Sequence, residues 1–211
     1  MYGVGLLAFV LFLSTLIGAP VLPALSRQLG AGTTEIPIVV SASLATVVIA
    51  QLFTGFLADR YSKRALILTG ALIGAVSSLL CVAATNWIQL AILRVVGGVA
   101  DAVAMPALLV ITASLAKDKP GKFFGILRGS QGLSFAVGPA LGSIFSLLGL
   151  RAPFVADGVL SVIAFFAAFA FIRDTQKVKP EHDLKLFHGF KSVFARKQMY
   201  VFPAHGDIGT L

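Results

Sequence analysis

The sequence predicts an all-α membrane protein with six transmembrane helices and a basic cytoplasmic tail. Three observations lead to this fold class. The 211-residue chain is 57% hydrophobic and 12% charged, and its mean hydropathy of +0.93 leaves too little polar surface for a soluble domain of this size. The apolar residues are gathered into long runs. The basic residues cluster in alternate connections between those runs.

Six apolar runs are long enough to cross a bilayer. The hydrocarbon core is ~30 Å thick, so a helix rising ~1.5 Å per residue needs ~20 apolar residues. The uncharged run 65–93 is too long for one helix, and it divides at Thr85–Trp87, a polar turn beside an aromatic residue typical of the headgroup interface. The predicted spans, numbered one to six, are roughly 2–26, 36–58, 65–85, 88–115, 123–149 and 152–172. They form a predicted bundle over residues 1–172.

The basic residues predict the orientation of the chain. The connections after spans one, three and five hold only Arg27 and Arg151, whereas the remaining connections and the tail are strongly basic. This bias places both termini in the cytoplasm. The basic residues behind the net charge of +8 are therefore interpreted as setting the orientation of the chain in the membrane. No nucleic-acid partner is predicted. The cytoplasmic basic residues are Arg60, Lys63 and Arg64, then Lys117, Lys119, Lys122 and Arg128, then Arg173, Lys177, Lys179, Lys185, Lys191, Arg196 and Lys197.

Residues 173–211 form the predicted cytoplasmic tail. After a polar linker, apolar residues recur at helical spacing between lysines and arginines over 184–197. This pattern predicts a short basic amphipathic helix on the membrane surface. The histidines His182, His188 and His205 are scattered through the tail without metal-ligand spacing. We predict no metal site.

No catalytic pattern is present in the sequence. It contains no nucleotide-binding loop, zinc-ligand spacing or nucleophile elbow. Its single cysteine, Cys81, lies in span three and is predicted to be a packing residue. The chain is therefore not expected to be an enzyme or to need a cofactor.

Three stretches carry a specific resemblance. Residues 55–64 read GFLADRYSKR, similar to G-x-L-A-D-R-x-G-R/K-R/K, with Ser62 in place of a glycine. Residues 94–102 read RVVGGVADA, similar to R-x-x-Q-G-x-G-A-A, with Asp101 in place of a small residue. Gly129 is followed by GPALGS at residues 138–143, similar to G-x8-G-P-x-x-G-G. These stretches resemble the major facilitator superfamily of secondary transporters, and the third resembles its exporters.

The resemblance implies the amino-terminal six-helix half of such a transporter, built from a 3+3 repeat. A faint repeat agrees with it, since prolines interrupt span one at Pro20 and Pro23 and span four at Pro106. The family's gating loop would here comprise Gly55, Asp59, Arg60, Lys63 and Arg64. Topology anchoring explains Lys63 and Arg64 equally well.

Span five carries the residues for which the resemblance implies a hinge or close packing. These residues are Gly129, Gly138, Pro139 and Gly142. Gly138 and Pro139 are the predicted hinge. Helix packing is a sufficient explanation for Gly125 and Gly142.

Three ionisable residues lie within spans, where a charge is costly and usually faces protein or water. Arg94 and Asp157 lie ~10 Å and ~9 Å below the outer interface, so an ion pair between them explains both as well as a transport role does. Asp101 lies one heptad beyond Arg94 on the same face, with no obvious partner at its depth. It is a candidate to carry a proton. A protonated Asp101 hydrogen-bonded to a neighbouring helix is an equal alternative.

The resemblance thus implies a plasma-membrane transporter that expels small molecules by proton coupling and pairs with a carboxy-terminal half or with a second copy of itself. The alternative is a non-transporting fragment or scaffold that keeps the half-bundle fold.

Overall fold

The computed structural model describes residues 2–115 and 120–172, without the side chains of residues 2, 55, 56, 58–60, 115, 120 and 171. The predicted tail, with its amphipathic helix 184–197 and three histidines, lies outside the described residues. Within them the chain is helical and contains no strand. The helices are α1 (Tyr2–Ile17), α2 (Leu22–Gln28), α3 (Glu35–Arg60), α4 (Lys63–Ala83), α5 (Trp87–Leu115), α6 (Pro120–Ser146) and α7 (Ala152–Phe171), with a 3-10 turn (Ala19–Val21) between α1 and α2.

Five segments are long and apolar enough to cross a membrane, judged by length and composition alone. They are Gly3–Gln28, Glu35–Thr54, Lys63–Ala83, Trp87–Ser114 and Ala152–Ala170. Helix α6 is not among them. Its 27 residues would extend ~40 Å at ~1.5 Å per residue, but they include Arg128, Ser130 and Gln131. The sixth crossing therefore remains a prediction.

The two proline-containing spans differ in structure. Span one is broken: α1 ends at Ile17, and the chain passes through the 3-10 turn before α2 begins. Pro20 and Pro23 explain the break, because proline lacks the amide hydrogen of a continuing helix and is favoured in the first turn of a new one. Pro106, by contrast, lies inside the continuous helix α5. The expected matching interruptions are thus found only in span one.

The packing pairs of the long helices follow a regular scheme. Helix α1 packs on α6 and α7, α5 packs on α3 and α4, and α4 packs on α7. Span one comprises α1 and α2, and spans two to six are α3 to α7 in order. If spans one, two and three are exchanged with spans four, five and six, each of these helix pairs becomes a pair of the same set. Such an exchange is what a 3+3 repeat requires.

Two hydrophobic clusters fill the bundle. One contains Leu7, Ile67 and Leu108, together with residues of α6 and α7. The other includes Leu25, Cys81 and Phe154. Cys81 is fully buried there, as expected for a packing residue.

Candidate functional site

Asp101 forms a polar contact between α5 and α1. It is partly buried, and the Thr15 hydroxyl donates to its Oδ1 at 3.0 Å. The same hydroxyl also lies 3.1 Å from the Leu11 carbonyl oxygen, so its one proton serves one acceptor at a time. The partner that sequence reasoning did not find is therefore a neutral hydroxyl, three residues before the break at Gly18.

Asp157 is buried between α7 and α4, with 4% of its surface exposed. Ser78 donates to its Oδ2 at 2.6 Å, and Ser161 donates to its Oδ1 at 3.4 Å. The ion pair with Arg94, one of the two explanations that the sequence left open, does not form among the described residues. A similar depth in the membrane does not make two residues neighbours, since α5 and α7 each pack mainly on α4.

Among the described residues, Arg94 bonds directly to neither carboxylate. Its guanidinium carbon is 6.0 Å from the centroid of the Phe154 ring, at the outer limit of a cation–π contact. Its Nε is buried and has no hydrogen-bond partner in the described part of the chain. Arg94 still interacts electrostatically with Asp101 and with Asp157. Its charge is thus felt by two acids on different helices.

The predicted gating loop is mostly the end of a helix. Gly55, Asp59 and Arg60 lie in α3, which continues to Arg60, and α4 begins at Lys63; the side chains of Asp59 and Arg60 are outside the described part. The turn itself is Tyr61 and Ser62.

Ser62, which stands where the family has a glycine, caps the start of α4. Its hydroxyl accepts from the Ala65 amide at 3.4 Å, as the N-cap of α4. Lys63, the next residue, is buried with 5% exposed. Arg64 reaches across to the far end of α7, where its Nη2 donates to the Phe169 carbonyl at 2.9 Å.

The glycines of α6 divide between two faces. A Cβ at Gly138 would lie 2.8 Å from the Leu16 Cβ, and one at Gly142 would overlap the Ile17 carbonyl, so both are needed where α6 meets α1. A Cβ at Gly125 or Gly129 would meet nothing within 4 Å. Packing therefore explains Gly142 but, among the described residues, not Gly125. Helix α6 continues through Pro139, and the hinge remains a prediction.

Arg128, counted among the cytoplasmic basic residues, lies within predicted span five. It is the ninth residue of α6, is exposed, and donates to the Gln131 side chain at 2.8 Å. It lies beside Gly125 and Gly132, on the side of α6 away from α1. Gly125 and Gly132 lie three residues before and four residues after Arg128, and this helical spacing was the sequence signal for the open face.

Known proteins resemble the chain along most of its length. The family model described as Major Facilitator Superfamily matches residues 4–204. Quinolone resistance protein NorA of Staphylococcus aureus is 28% identical over 170 residues, which are 80% of this chain and 44% of that protein. An uncharacterized MFS-type transporter of Methanocaldococcus jannaschii is 28% identical over 171 residues, or 79% of this chain and 44% of that protein. The chain thus spans less than half the length of these curated relatives.

Proposed function

We propose that this chain, which belongs to the Major Facilitator Superfamily, provides the amino-terminal half of a transporter that expels small molecules in exchange for protons. Membership of this family, and likeness to a quinolone resistance protein, support transport across the plasma membrane. The observation that carries the coupling proposal is Asp101: an intramembrane carboxylate, partly exposed, whose hydrogen-bond partner in the described part of the chain is the neutral Thr15. Intramembrane acids of this kind are commonly proton carriers.

The geometry suggests how proton binding at Asp101 changes the bundle. An ionised Asp101 accepts a hydrogen bond from the Thr15 hydroxyl and attracts Arg94, which lies ~10 Å away along the same helix. A protonated Asp101 loses its attraction for Arg94 and needs the Thr15 hydroxyl less, because that hydroxyl can donate to the Leu11 carbonyl instead. Protonation therefore loosens the α1–α5 contact just before the break in span one. A helix end at Gly18 is a place where such loosening can become movement.

Asp101 is the better coupling candidate of the two acids. Asp157 is 4% exposed and accepts from two serines, so a proton has little access to it. Arg94 belongs to the coupling proposal as the counter-charge of Asp101. Asp59 and Arg60, with Gly55, Lys63 and Arg64, are proposed to form the gate on the cytoplasmic side, where both termini would also lie.

Open faces on two helices support a partner in the membrane. Helix α3 exposes large apolar side chains, with Leu44 66%, Val48 64% and Phe53 59% exposed. Helix α6 exposes its glycine face with Arg128, and an arginine facing lipid is costly. We propose that a carboxy-terminal half or a second copy of the chain covers these faces. The relatives, more than twice as long as the matched segment, are consistent with the first.

The test is proton-driven uptake of a fluorescent quinolone into inverted membrane vesicles that contain the chain, with and without a separately encoded carboxy-terminal half. Uptake should require the proton gradient and should fall at least about tenfold in Asp101→Asn, since a carrier of protons cannot be replaced by an amide. Glu35→Gln is the matched control, because Glu35 is an acid in the first turn of α3, away from the polar contact. Gradient-driven uptake that is unchanged in Asp101→Asn would exclude Asp101 as the carrier. No uptake in any preparation would favour the non-transporting scaffold.

A further inference from the structure

Two arginines join α4 and α7 at opposite ends of this antiparallel pair. Arg64, the second residue of α4, donates from Nη2 to the carbonyl oxygen of Phe169 near the end of α7, at 2.9 Å. Arg151, the N-cap of α7, donates from Nη2 to the carbonyl oxygen of Ala84 at the end of α4, at 3.0 Å. Each helix therefore begins with an arginine that binds the end of the other.

These carbonyls are the groups that a helix end leaves without partners. The last carbonyls of a helix lack intrahelical donors, and the C-terminus carries the negative end of the helix dipole. At the end of α7 the Ile172 amide binds Ala168, and Arg64 takes the next carbonyl, that of Phe169. At the end of α4 the Ala84 amide binds Cys81, and Arg151 takes the Ala84 carbonyl. A cation is the favoured partner at both places.

The contact of Arg64 is fixed by a second interaction. Its guanidinium carbon lies 4.9 Å from the centroid of the Phe169 ring, within cation–π range. Its Nε is buried without a hydrogen-bond partner in the described residues. The guanidinium is therefore held by the Nη2 hydrogen bond and by the contact of its planar face with the Phe169 ring. A lysine has neither a planar face nor a fork of donors. Charge alone therefore does not reproduce the contact.

We propose that Arg64 and Arg151 are reciprocal helix caps that lock α4 and α7 into one rigid pair. The bond from Ser78 to Asp157 joins the same two helices between the caps, nearer to Arg151 than to Arg64, which gives Asp157 a place in this frame. Arg64, the last cation of the gating motif, then binds a helix of this chain rather than of a partner. The Tyr61–Ser62 turn, which directly precedes α4, therefore moves together with the end of α7. This proposal depends on neither the substrate nor the coupling ion.

Hydrogen–deuterium exchange of the full chain in lipid nanodiscs tests the two caps separately. Arg64→Lys should speed amide exchange in the last turn of α7 by at least about tenfold, as expected for the loss of a hydrogen bond from a charged group, and leave the end of α4 unchanged. Arg151→Lys should do the reverse. Arg27→Lys is the matched control, because Arg27 is exposed and has no hydrogen-bond partner in the described part. All three changes keep the charge and hence the topology signal.

A second readout reports the turn itself. Tyr61 is 56% exposed, and a cysteine placed there should be alkylated faster when combined with Arg64→Lys but not when combined with Arg151→Lys. Phe169→Leu removes the ring and leaves the carbonyl, so it should give a smaller change at the same turn of α7, and it keeps the test available if Arg64→Lys does not fold. Exchange in the Arg151→Lys and Phe169→Leu variants that equals exchange in Arg27→Lys would reduce both arginines to topology markers and overturn the proposal.

Discussion

Substituting alanine for two glycines of α6 should have opposite effects on stability. Gly138 and Gly129 belong to the same exporter-like motif and to the same helix. The structure separates them, because a Cβ at Gly138 would lie 2.8 Å from the Leu16 Cβ and 3.5 Å from the Leu16 carbonyl carbon, whereas a Cβ at Gly129 would meet nothing within 4 Å. Carbon atoms in contact normally lie ~3.5–4.0 Å apart.

The magnitudes follow from this difference. The Leu16 Cβ is fixed to the backbone, so Gly138→Ala forces α1 and α6 apart, and overpacking of this kind costs ~1–3 kcal/mol of unfolding free energy. Alanine in a helix returns up to ~1 kcal/mol relative to glycine. With the full ~1 kcal/mol returned, the net loss for Gly138→Ala is ~0–2 kcal/mol, while Gly129→Ala should be neutral or stabilising by up to ~1 kcal/mol. Gly142→Ala, which meets the backbone of Ile17, should cost more than Gly138→Ala.

The buried cysteine supplies the assay. Cys81 is fully buried, so a thiol-reactive fluorogenic dye labels it only when the bundle opens, and heating the detergent-solubilised chain gives an unfolding temperature. About 1 kcal/mol corresponds to ~2–4 °C in a protein of this size. Gly138→Ala should unfold at a lower temperature than wild type, and Gly129→Ala at the same temperature or a higher one. Equal losses in both variants would refute the division of α6 into a packed face and an open face.

Three further predictions test orientation, gating and the frame. A cysteine at Tyr61 should react with an impermeant thiol reagent only from the cytoplasmic side, and a cysteine at Thr33 only from outside. The native Cys81 should not react, because it is buried. Reaction at position 61 on intact cells would contradict the topology. Asp59→Asn should leave expression and topology unchanged but shift the balance between inward-open and outward-open accessibility, and wild-type transport with wild-type accessibility would make the motif an anchor only. Ser78→Ala should lower the unfolding free energy by ~0.6–2 kcal/mol. Ser161→Ala should lower it by less, because the hydrogen bond from Ser161 to Asp157 is 3.4 Å long and that from Ser78 is 2.6 Å. A larger effect of Ser161→Ala in the same thermal assay would contradict this order.

The sequence by itself determined the family, the helical class and the position of the helices. Apolar length and composition act locally, so the charged stretch 55–64 and the polar turn at Thr85–Trp87 separate α3, α4 and α5 wherever the rest of the chain lies. Pro20 and Pro23 likewise act on their own backbone and predict the break in span one. The motifs around Asp59 and Gly138 together indicated the Major Facilitator Superfamily, which the family model confirms.

Only the tertiary structure decided which side chains meet. Depth along a helix can be counted from sequence, but the direction a residue faces and the helix it faces depend on how the bundle packs. For that reason Asp157 bonds to Ser78 rather than Arg94, and Asp101 to Thr15. For the same reason Gly138 is crowded while Gly129 is open. Arg64 and Arg151 look alike in sequence as charges that flank a helix. Each binds the end of a distant helix, 105 residues away for Arg64 and 67 for Arg151. The antiparallel packing of α4 and α7 explains this, because it places the start of each helix beside the end of the other.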